Sequence, residues 1–290
     1  MSKVCEGKGF APGHITGFFE IHKHKAHQKK GSTGCGLVLD QGIESEVQVG
    51  DSTDRTQVFL NGSLVRADTV NMTAEMLTDV PVIVNITANI PVGCGFGASG
   101  AGALSVAYAL NKALSLNYTS NHLADIAHLA EVKTGCGLGD VTAQLYSGTV
   151  IRTRPGKPSG TGVDFIPSGN FTVLSTVLGN VSTKSVIEDK QMVDRINSAG
   201  RKAMCSVLDY PTIDNFILRA KEFTIETGLL KDRAKDVIEA VETSGGKASQ
   251  AMLGDTVFAI PCEGNEDEVY RVMSEFGEVL RFNSGTGCYS

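Results

Sequence analysis

The alternation of apolar and polar residues predicts strands and helices in turn along the first half of the chain. Residues 58–65 contain two short β-branched runs separated by Asn61-Gly62, a pair that favours a tight hairpin. The run VPVIVNITANI at residues 80–90 alternates and is β-branched, so it predicts a strand. The stretch AGALSVAYALNKALSL at residues 101–116 is largely apolar and predicts a buried helix.

A second helix is predicted over about residues 121–133 and is followed by a glycine-rich stop. Ser120 or Asn121 can cap its first turn. The sequence TGCGLGD at residues 134–140 ends it. Helical spacing groups its apolar residues on one face, namely Leu123, Ile126, Leu129 and Ala130.

A stretch rich in Gly, Pro and Ser at residues 154–169, RPGKPSGTGVDFIPSG, is the best candidate for a domain boundary. We therefore predict an N-terminal domain over residues 1–155 and a C-terminal domain over residues 165–290. The second half mixes strands and helices, which is typical of a smaller α+β domain. Its predicted elements are a strand at 171–177, two or three helices between 184 and 243, a strand at 256–261, a helix at 265–276 and a strand from 278.

Composition narrows the functional classes. The chain has 290 residues, of which 41% are hydrophobic, so it can bury a core without disulfides or a structural metal. A net charge of −6 argues against a nucleic-acid partner, because phosphate backbones attract basic faces. Its 7 cysteines are scattered and form no C-x-x-C, as in reduced proteins. With no apolar leader or membrane-length run, we expect a cytoplasmic protein.

The most informative motif is PVGCGFGASGAG at residues 91–102, between the predicted strand and the predicted apolar helix. Glycines allow a tight turn that presents backbone N–H groups to phosphate oxygens, and the following helix adds its positive dipole end. The hydroxyl of Ser99 can reach a phosphate or a magnesium ion there. The predicted phosphate-binding residues are Gly93, Gly95, Gly97, Ala98, Ser99 and Gly100.

Two other interpretations of this motif exist. A glycine turn can simply pack a helix against a sheet. Residues 95–100 also fit G-x-G-x-x-G, the dinucleotide-binding pattern of many oxidoreductases. That pattern requires an acidic residue about 20 positions later, and residues 117–121 contain none. The Walker pattern of P-loop proteins is absent as well.

Two carboxylates follow at the end of the second helix and of its glycine loop, Glu131 and Asp140. In phosphoryl transfer one carboxylate can hold magnesium, and another can orient or deprotonate the accepting hydroxyl. Taken alone they could equally be a surface acid and a turn aspartate. Their place after a phosphate loop favours the functional interpretation.

The N-terminal segment FAPGHITGFFE is followed by a basic run, HKHKAHQKK at residues 22–30. Interleaved lysines repel a metal ion, so the histidines are weak candidates for a metal site. A basic loop in an acidic protein can instead attract an anionic substrate.

Together these motifs resemble the GHMP family of small-molecule kinases. Ala11-Pro12-Gly13 resembles that family's first motif, and PVGCGFGASGAGALS resembles its ATP phosphate loop. The resemblance implies a two-domain α/β (α+β) fold with ATP, Mg²⁺ and a small-molecule substrate in the cleft between domains. It also implies that Ser99 and Glu131 bind magnesium and that Asp140 is catalytic.

The segments GHITGFFE and GSTGCG resemble the archaeal branch that phosphorylates the C4 hydroxyl of (R)-pantoate for coenzyme A biosynthesis. His14 stands where most of the family has lysine, which leaves open which group supports Asp140, and His14 is itself a catalytic and substrate-binding candidate. The third motif is altered, since Met252 and Leu253 replace expected glycines. Candidate substrate-binding residues are His14, Glu20, His22, Lys23, Lys25, Arg152 and Arg154.

Three alternatives stay open at this stage: another GHMP kinase of the homoserine, shikimate or mevalonate class, a dinucleotide-dependent oxidoreductase, and a non-catalytic metabolite sensor. Asp140 argues against the sensor. We expect no membrane or nucleic-acid partner, and a homodimer is the expected assembly.

Overall fold

The computed structural model describes residues 5–50, 53–179 and 189–284, and these residues form two β-sheets with packed helices. Residues 180–188, which include the start of the predicted helical region, lie outside the described residues, as does Cys288.

The first sheet is built on a long antiparallel hairpin of β1 (Cys5–His22) and β2 (Gly31–Val49). The strand order is β4-β3-β5-β2-β6-β7, with β1 paired to β2. The remaining strands are β3 (Gln57–Leu60), β4 (Ser63–Val65), β5 (Val82–Ala88), β6 (Thr149–Arg152) and β7 (Val163–Ile166).

This sheet excludes the dinucleotide-binding alternative. Among the described strands only β3 and β5 pair in parallel, and every other pair in the sheet is antiparallel. A dinucleotide-binding domain needs a mostly parallel, doubly wound sheet, with its glycine turn after the first strand. Here the glycine turn follows β5, which pairs antiparallel with β2.

Four helices accompany the first sheet, and the buried one lies where the sequence predicted it. They are α1 (Asp68–Leu77), α2 (Ala98–Ala113), α3 (Ser120–Thr134) and the single turn α4 (Asp140–Ala143). Every residue of α2 from Gly100 to Leu110 is buried, mostly against β1 and β2. The cap of α3 is Thr119 rather than Ser120 or Asn121, because its extended backbone aims the hydroxyl at the N–H of His122.

The second sheet is antiparallel, with the order β11-β8-β10-β9. Its strands are β8 (Thr172–Gly179), β9 (Gly246–Gln250), β10 (Asp255–Pro261) and β11 (Val279–Asn283). The predicted helical region contains three described helices, α5 (Lys190–Asp209), α6 (Ile213–Thr227) and α7 (Asp232–Thr243), and α8 (Glu266–Ser274) precedes the last strand.

Aromatic residues join the two sheets into one core. Phe18 on β1 packs against Phe216 on α6, with ring centroids 6.3 Å apart. Phe96, in the glycine turn before α2, packs against Phe282 on β11 at 5.6 Å. Both contacts belong to one hydrophobic core that contains buried residues of the two sheets. The predicted domain division at residues 155–165 stays a prediction; β7 begins within that stretch and pairs with β6 of the first sheet.

Candidate active site

A cavity of about 680 Å³ lies where the glycine turn, the loop before α4 and the second sheet meet. This volume is in the range of small-molecule sites. Its lining contains two chemically different groups. We call one the apolar lining group, namely Ile43, Leu60, Val65, Val70 and Ile86, and the other the polar lining group, namely Thr16, Ser32, Asp140 and Arg152. Met252 and Leu253, from the turn between β9 and β10, complete the wall.

The glycine turn has the backbone geometry of an anion-binding loop. Gly93, Gly95 and Gly97 have φ values of 78°, 93° and 64°, a region in which side chains are disfavoured. Gly97 is the N-cap of α2, and no described side chain caps that end of the helix. The first N–H groups of α2 therefore remain available, together with the positive end of its dipole, to an anion in the cavity.

Ser99 is held at the start of α2 by a chain of hydroxyl groups. Its Oγ donates to Oγ1 of Thr69 at 3.1 Å, and Thr69 lies 3.0 Å from Oγ1 of Thr134. Thr134 in turn donates to the carbonyl of Ala130 at 2.8 Å. The chain connects α1, α2 and the last turn of α3, which places the Ser99 hydroxyl next to the part of α3 that contains Glu131.

Glu131 is a buried carboxylate whose strongest polar neighbour among the described residues is a weak contact with the backbone of Val141. Its residue is 1% exposed, and neither carboxylate oxygen accepts a hydrogen bond of ordinary geometry from a described residue. Burial, assisted by the negative charge of Asp140, raises its pKa well above the usual value, against the weaker effect of Arg152. Such a group is expensive to bury unless a cation binds it. Its orphaned oxygens fit a hard divalent ion.

The described residues contain no cluster of three or more His, Cys, Asp or Glu side chains that could hold a metal by themselves. Magnesium does not require one, since it is commonly held by one or two protein ligands together with substrate phosphates and water. The pair Ser99 and Glu131 beside an anion-binding loop fits that pattern.

Asp140, a member of the polar lining group, is hydrogen-bonded to His14, which is fully buried behind it. The Nδ1 of His14 lies 2.7 Å from Oδ1 of Asp140, and the Thr16 hydroxyl lies 3.5 Å from the same oxygen. The β1–β2 register shifts between Pro12 and His14 and again between Thr16 and Phe18. Such irregularities re-aim side chains and are common next to active sites.

The electrostatics of the pair favour a neutral imidazole and an ionised carboxylate. Burial lowers the pKa of His14, and Arg152 adds to that effect, although Asp140 opposes it. Burial alone would raise the pKa of Asp140, but the hydrogen bond from His14, together with Arg152 and Thr16, lowers it below its usual value. His14 therefore donates its Nδ1–H to an Asp140 carboxylate that keeps its charge.

Arg152 is the buried cation of the site. It is 2% exposed on β6, lines the cavity, and forms no ion pair with any carboxylate of the described residues. Its Nε has no hydrogen-bond partner. Burial lowers its pKa, while Asp140, Cys35 and Glu131 raise it, and a guanidinium stays charged at neutral pH. An unpaired buried guanidinium in a cavity is suited to bind an anion.

The other residues proposed for substrate binding lie outside the cavity lining. Lys23, Lys25 and Arg154 are exposed. Glu20 is buried, accepts a hydrogen bond from Thr33 at 3.3 Å and lies 3.5 Å from Nε of Arg201. The Nε2 of His22 lies 3.1 Å from the Thr33 hydroxyl. Of the residues proposed for substrate binding, the structure therefore places Arg152 in the cavity lining and His14 behind Asp140, and the others are not part of the lining.

Sequence reasoning missed Thr69, Ser32 and the apolar lining group. Thr69 lies on a helix that the apolar pattern did not predict, and no motif marks it. Ser32 is placed by a backbone bond from its N–H to the carbonyl of Leu138 at 3.1 Å, a contact between distant segments. The apolar lining group comes from five separate elements, so no local pattern could have identified it.

A buried carboxylate and an uncapped helix N-terminus at a glycine loop, beside a hydrogen-bonded aspartate, define a phosphoryl-transfer site on a two-sheet α/β fold. Family models match the chain at residues 64–148, for the GHMP kinases N terminal domain, and at residues 209–279, for the GHMP kinases C terminal region. The chain belongs to the GHMP kinase family and is a phosphotransferase that acts on an alcohol group.

Relatives and solved structures agree with this assignment. A pantoate kinase from Methanocaldococcus jannaschii is 35% identical over 257 residues, covering 87% of this chain and 91% of the relative. A solved phosphotransferase related to the CoA biosynthesis pathway has a TM-score of 0.89 and 29% identity, with 98% of each chain covered. A solved complex of MDDEF with MVAPP, AMPPCP and magnesium shares the fold, with a TM-score of 0.78, 15% identity and 99% coverage of each chain.

In the parts of the chain that the structure describes, no helix is both long and apolar enough to cross a membrane.

Proposed function

We propose that the protein transfers the γ-phosphate of ATP to the C4 hydroxyl of (R)-pantoate and forms 4-phosphopantoate, a precursor of coenzyme A. The kinase relative and the CoA-related phosphotransferase support this substrate, and the cavity supports the chemistry. The observation that carries the proposal is the unpaired, buried Arg152 in the same cavity as Asp140 and the glycine loop.

ATP would bind along the glycine loop and the apolar lining group. The N–H groups of the glycine turn and of the α2 N-terminus would hold the phosphate oxygens, because the turn lines the cavity and no described side chain caps that end of the helix. The adenine ring would pack on Leu60, Val65 and Ile86, whose side chains line the cavity. This arrangement leaves the polar lining group for the phosphate acceptor.

Magnesium, when bound, would neutralise charge on the β- and γ-phosphates as phosphate is transferred. Glu131 would supply a carboxylate oxygen and Ser99 a hydroxyl oxygen to it. The raised pKa of Glu131 means that binding the cation also favours loss of the carboxyl proton. The hydroxyl chain through Thr69 keeps Ser99 oriented toward the cavity.

Asp140 would accept the hydrogen bond of the C4 hydroxyl and orient its oxygen toward the γ-phosphate. A carboxylate that remains ionised can do this and can take the proton as the new P–O bond forms. His14 fixes the carboxylate by donating Nδ1–H to it. Most of the rate enhancement should come from alignment and charge neutralisation, since phosphoryl transfer needs little covalent chemistry from the protein.

Arg152 would pair with the pantoate carboxylate. A guanidinium binds a carboxylate through two parallel hydrogen bonds, which fixes orientation as well as charge. This pairing also explains why an unpartnered cation is retained in the interior: the substrate completes the ion pair. It favours hydroxy acids as a class, and the relative's substrate selects pantoate within that class.

A coupled assay of ADP release with pantoate, homoserine, shikimate and mevalonate tests the proposal. We expect pantoate to give the highest kcat/KM and mass spectrometry with ³¹P NMR to place the phosphate on C4. Turnover of another acid without pantoate would retain the kinase chemistry and refute the substrate. Phosphorylation at the C2 hydroxyl would refute the proposed orientation. The cytoplasmic location and the homodimer stay predictions.

A further inference from the structure

The turn between β9 and β10 contains a backbone conformation that is unfavourable for the residue in it. Residues 251–254 form a four-residue turn, closed by a bond from the N–H of Gly254 to the carbonyl of Ala251 at 3.3 Å. Leu253, the third residue of this turn, has φ 60°. Turns with a positive φ at the third position normally have glycine or asparagine there, because a branched side chain collides with its own backbone.

Contacts on both sides hold this turn in place. The N–H of Met252 donates to the carbonyl of Thr16 at 3.0 Å. The Thr256 hydroxyl donates to the carbonyl of Cys94 in the glycine turn at 2.7 Å. Residues in strained conformations persist where surrounding contacts over-determine them, and they are concentrated at functional sites. The strained backbone at Leu253 therefore indicates that its side chain has a function.

The Leu253 side chain lines the cavity and packs partly against the core, next to the buried Met252. Thr16, the backbone partner of this turn, has its hydroxyl 3.5 Å from Oδ1 of Asp140. The turn thus lies between the glycine loop and the residue that would orient the acceptor hydroxyl. Glycine at position 253 would relax the backbone and remove apolar surface from this part of the wall.

On the basis of the proposed function, we propose that Leu253 is a specificity-determining residue, whose side chain packs against the apolar carbons of the acceptor. In pantoate these carbons are the two methyl groups on C3. The polar lining group can bind the carboxylate and hydroxyls of many hydroxy acids, but it offers nothing to these methyl groups. Leu253 supplies the apolar surface that favours pantoate over an acid without them.

The test compares Leu253→Ala, Leu253→Gly and Leu253→Met with two substrates, pantoate and 2,4-dihydroxybutanoate, which lacks both methyl groups. Leu253→Ala and Leu253→Gly should each raise the KM for pantoate by about 10-fold, the factor expected for two buried methyl groups. The KM values for 2,4-dihydroxybutanoate and for ATP should stay within about 2-fold of their wild-type values. Neither compound has the methyl groups that Leu253 is proposed to contact. Leu253→Met, which restores the apolar volume, should recover most of the preference.

Melting temperature separates the side chain from the backbone. Leu253→Gly should melt about 2–4 °C above Leu253→Ala, because glycine adopts the left-handed conformation without strain. Ser115→Gly is the matched control: Ser115 is exposed, has φ 52° and lies outside the cavity lining, so relaxing it should raise stability without changing either KM.

An unchanged pantoate preference in Leu253→Ala and Leu253→Gly would overturn the inference while leaving the proposed function intact. An equal rise in KM for both substrates would also overturn it, because the loss would then not involve the methyl groups. If the wild type phosphorylates another acid and not pantoate, the proposed function is refuted, and the inference about Leu253, which rests on it, is refuted as well.

Discussion

The Nδ1 of His14 donates to the Oδ1 of Asp140 across 2.7 Å, from a fully buried imidazole to a carboxylate that faces the cavity. The resemblance to GHMP kinases places lysine at position 14 in most members. An ammonium would stabilise the aspartate by charge, whereas a neutral imidazole does so by one directed hydrogen bond and leaves the local net charge more negative. The buried Arg152 supplies the positive charge instead.

Asp140→Asn should lower kcat by about 10²–10⁴-fold, the usual contribution of a positioned acid–base group. The amide keeps the size of the side chain but cannot carry the charge or accept the proton. The KM for ATP should change little, because the proposed phosphate contacts are made by the glycine loop and not by Asp140. Steady-state kinetics of purified protein measure both values.

Asp209→Asn, an exposed substitution at the end of α5, is the control for effects of purification and of protein stability on the measured rates. An Asp140→Asn enzyme that retained more than about half of the wild-type kcat would exclude Asp140 as the group that orients the acceptor.

His14 should make stability depend on pH. Because burial lowers its pKa, the folded protein binds fewer protons at this site than the unfolded chain. The stabilisation is therefore present above the unfolded pKa of about 6.5 and is lost as pH falls through that value. In His14→Asn, whose amide can still donate to Asp140, the free energy of unfolding should fall less between about pH 7 and 5. Urea unfolding at several pH values measures the difference, and parallel curves would contradict it.

Local patterns were sufficient to predict several parts of the site. The β5 strand, the glycine turn and α2 follow one another in the chain, so alternation, glycine density and apolar content identified them together. Glu131 and Asp140 are separated by a single glycine loop, and their proposed roles rest on their place after the phosphate loop and on the family resemblance. For the same reason the bounds of β5 and α2 differ from their predicted ranges by only a few residues at each end.

Contacts between distant segments could not be predicted in this way. The basic run at residues 22–30 is conspicuous in sequence, yet its lysines at 23 and 25 are exposed in the structure, and sequence alone gives no distance to the cavity. Nothing in the local sequence distinguishes Arg152 from other strand residues. It is buried because β6 pairs with β2. The long β1–β2 hairpin was also missed, because two register shifts interrupt the alternation that would have identified β1.

Removing either proposed magnesium ligand should raise the magnesium concentration needed for half-maximal rate. Ser99→Ala deletes a hydroxyl ligand and the bond to Thr69, and Glu131→Gln replaces the buried carboxylate by a neutral amide. The larger effect should come from Glu131→Gln, because a charged oxygen is the stronger ligand for a hard cation. Initial rates across a magnesium titration at fixed ATP measure the shift.

Glu75→Gln is the matched control, since Glu75 is exposed on α1 and lies outside the cavity lining. Normal magnesium titrations of both Ser99→Ala and Glu131→Gln would assign these residues to packing rather than to metal binding.

Gly254→Ala should reduce both stability and activity. A β carbon there would lie 2.1 Å from the carbonyl oxygen of Cys94 and 2.6 Å from the Cα of Gly95, both backbone atoms of the glycine turn. The turn must move to relieve the collision, which should lower the melting temperature and raise the KM for ATP. Gly169→Ala is the control, because a β carbon at that position meets no atom within 4 Å. Equal melting temperatures and equal ATP kinetics for the two variants would contradict the close contact.

Arg152 gives the most direct test of how the substrate is bound. Arg152→Met keeps an unbranched side chain, although a shorter one, and removes the charge, so the carboxylate of pantoate would lose its partner. A charge-assisted contact is worth about 1.5–3 kcal/mol, or roughly 10- to 100-fold in KM for pantoate, with the KM for ATP nearly unchanged. Arg154→Met is the matched control, because Arg154 is exposed two residues later and does not line the cavity.

Pantoyl amide separates loss of this ion pair from a general distortion of the cavity. The wild type should use the neutral amide poorly, because it leaves Arg152 buried and unpaired. Arg152→Met has no charge to leave unpaired, so it should discriminate much less between amide and acid. A variant that was equally impaired on both compounds, with the wild-type ratio preserved, would show that Arg152 supports the cavity without contacting the carboxylate. The carboxylate would then have to be bound by backbone N–H groups or by the Ser32 hydroxyl in the same lining.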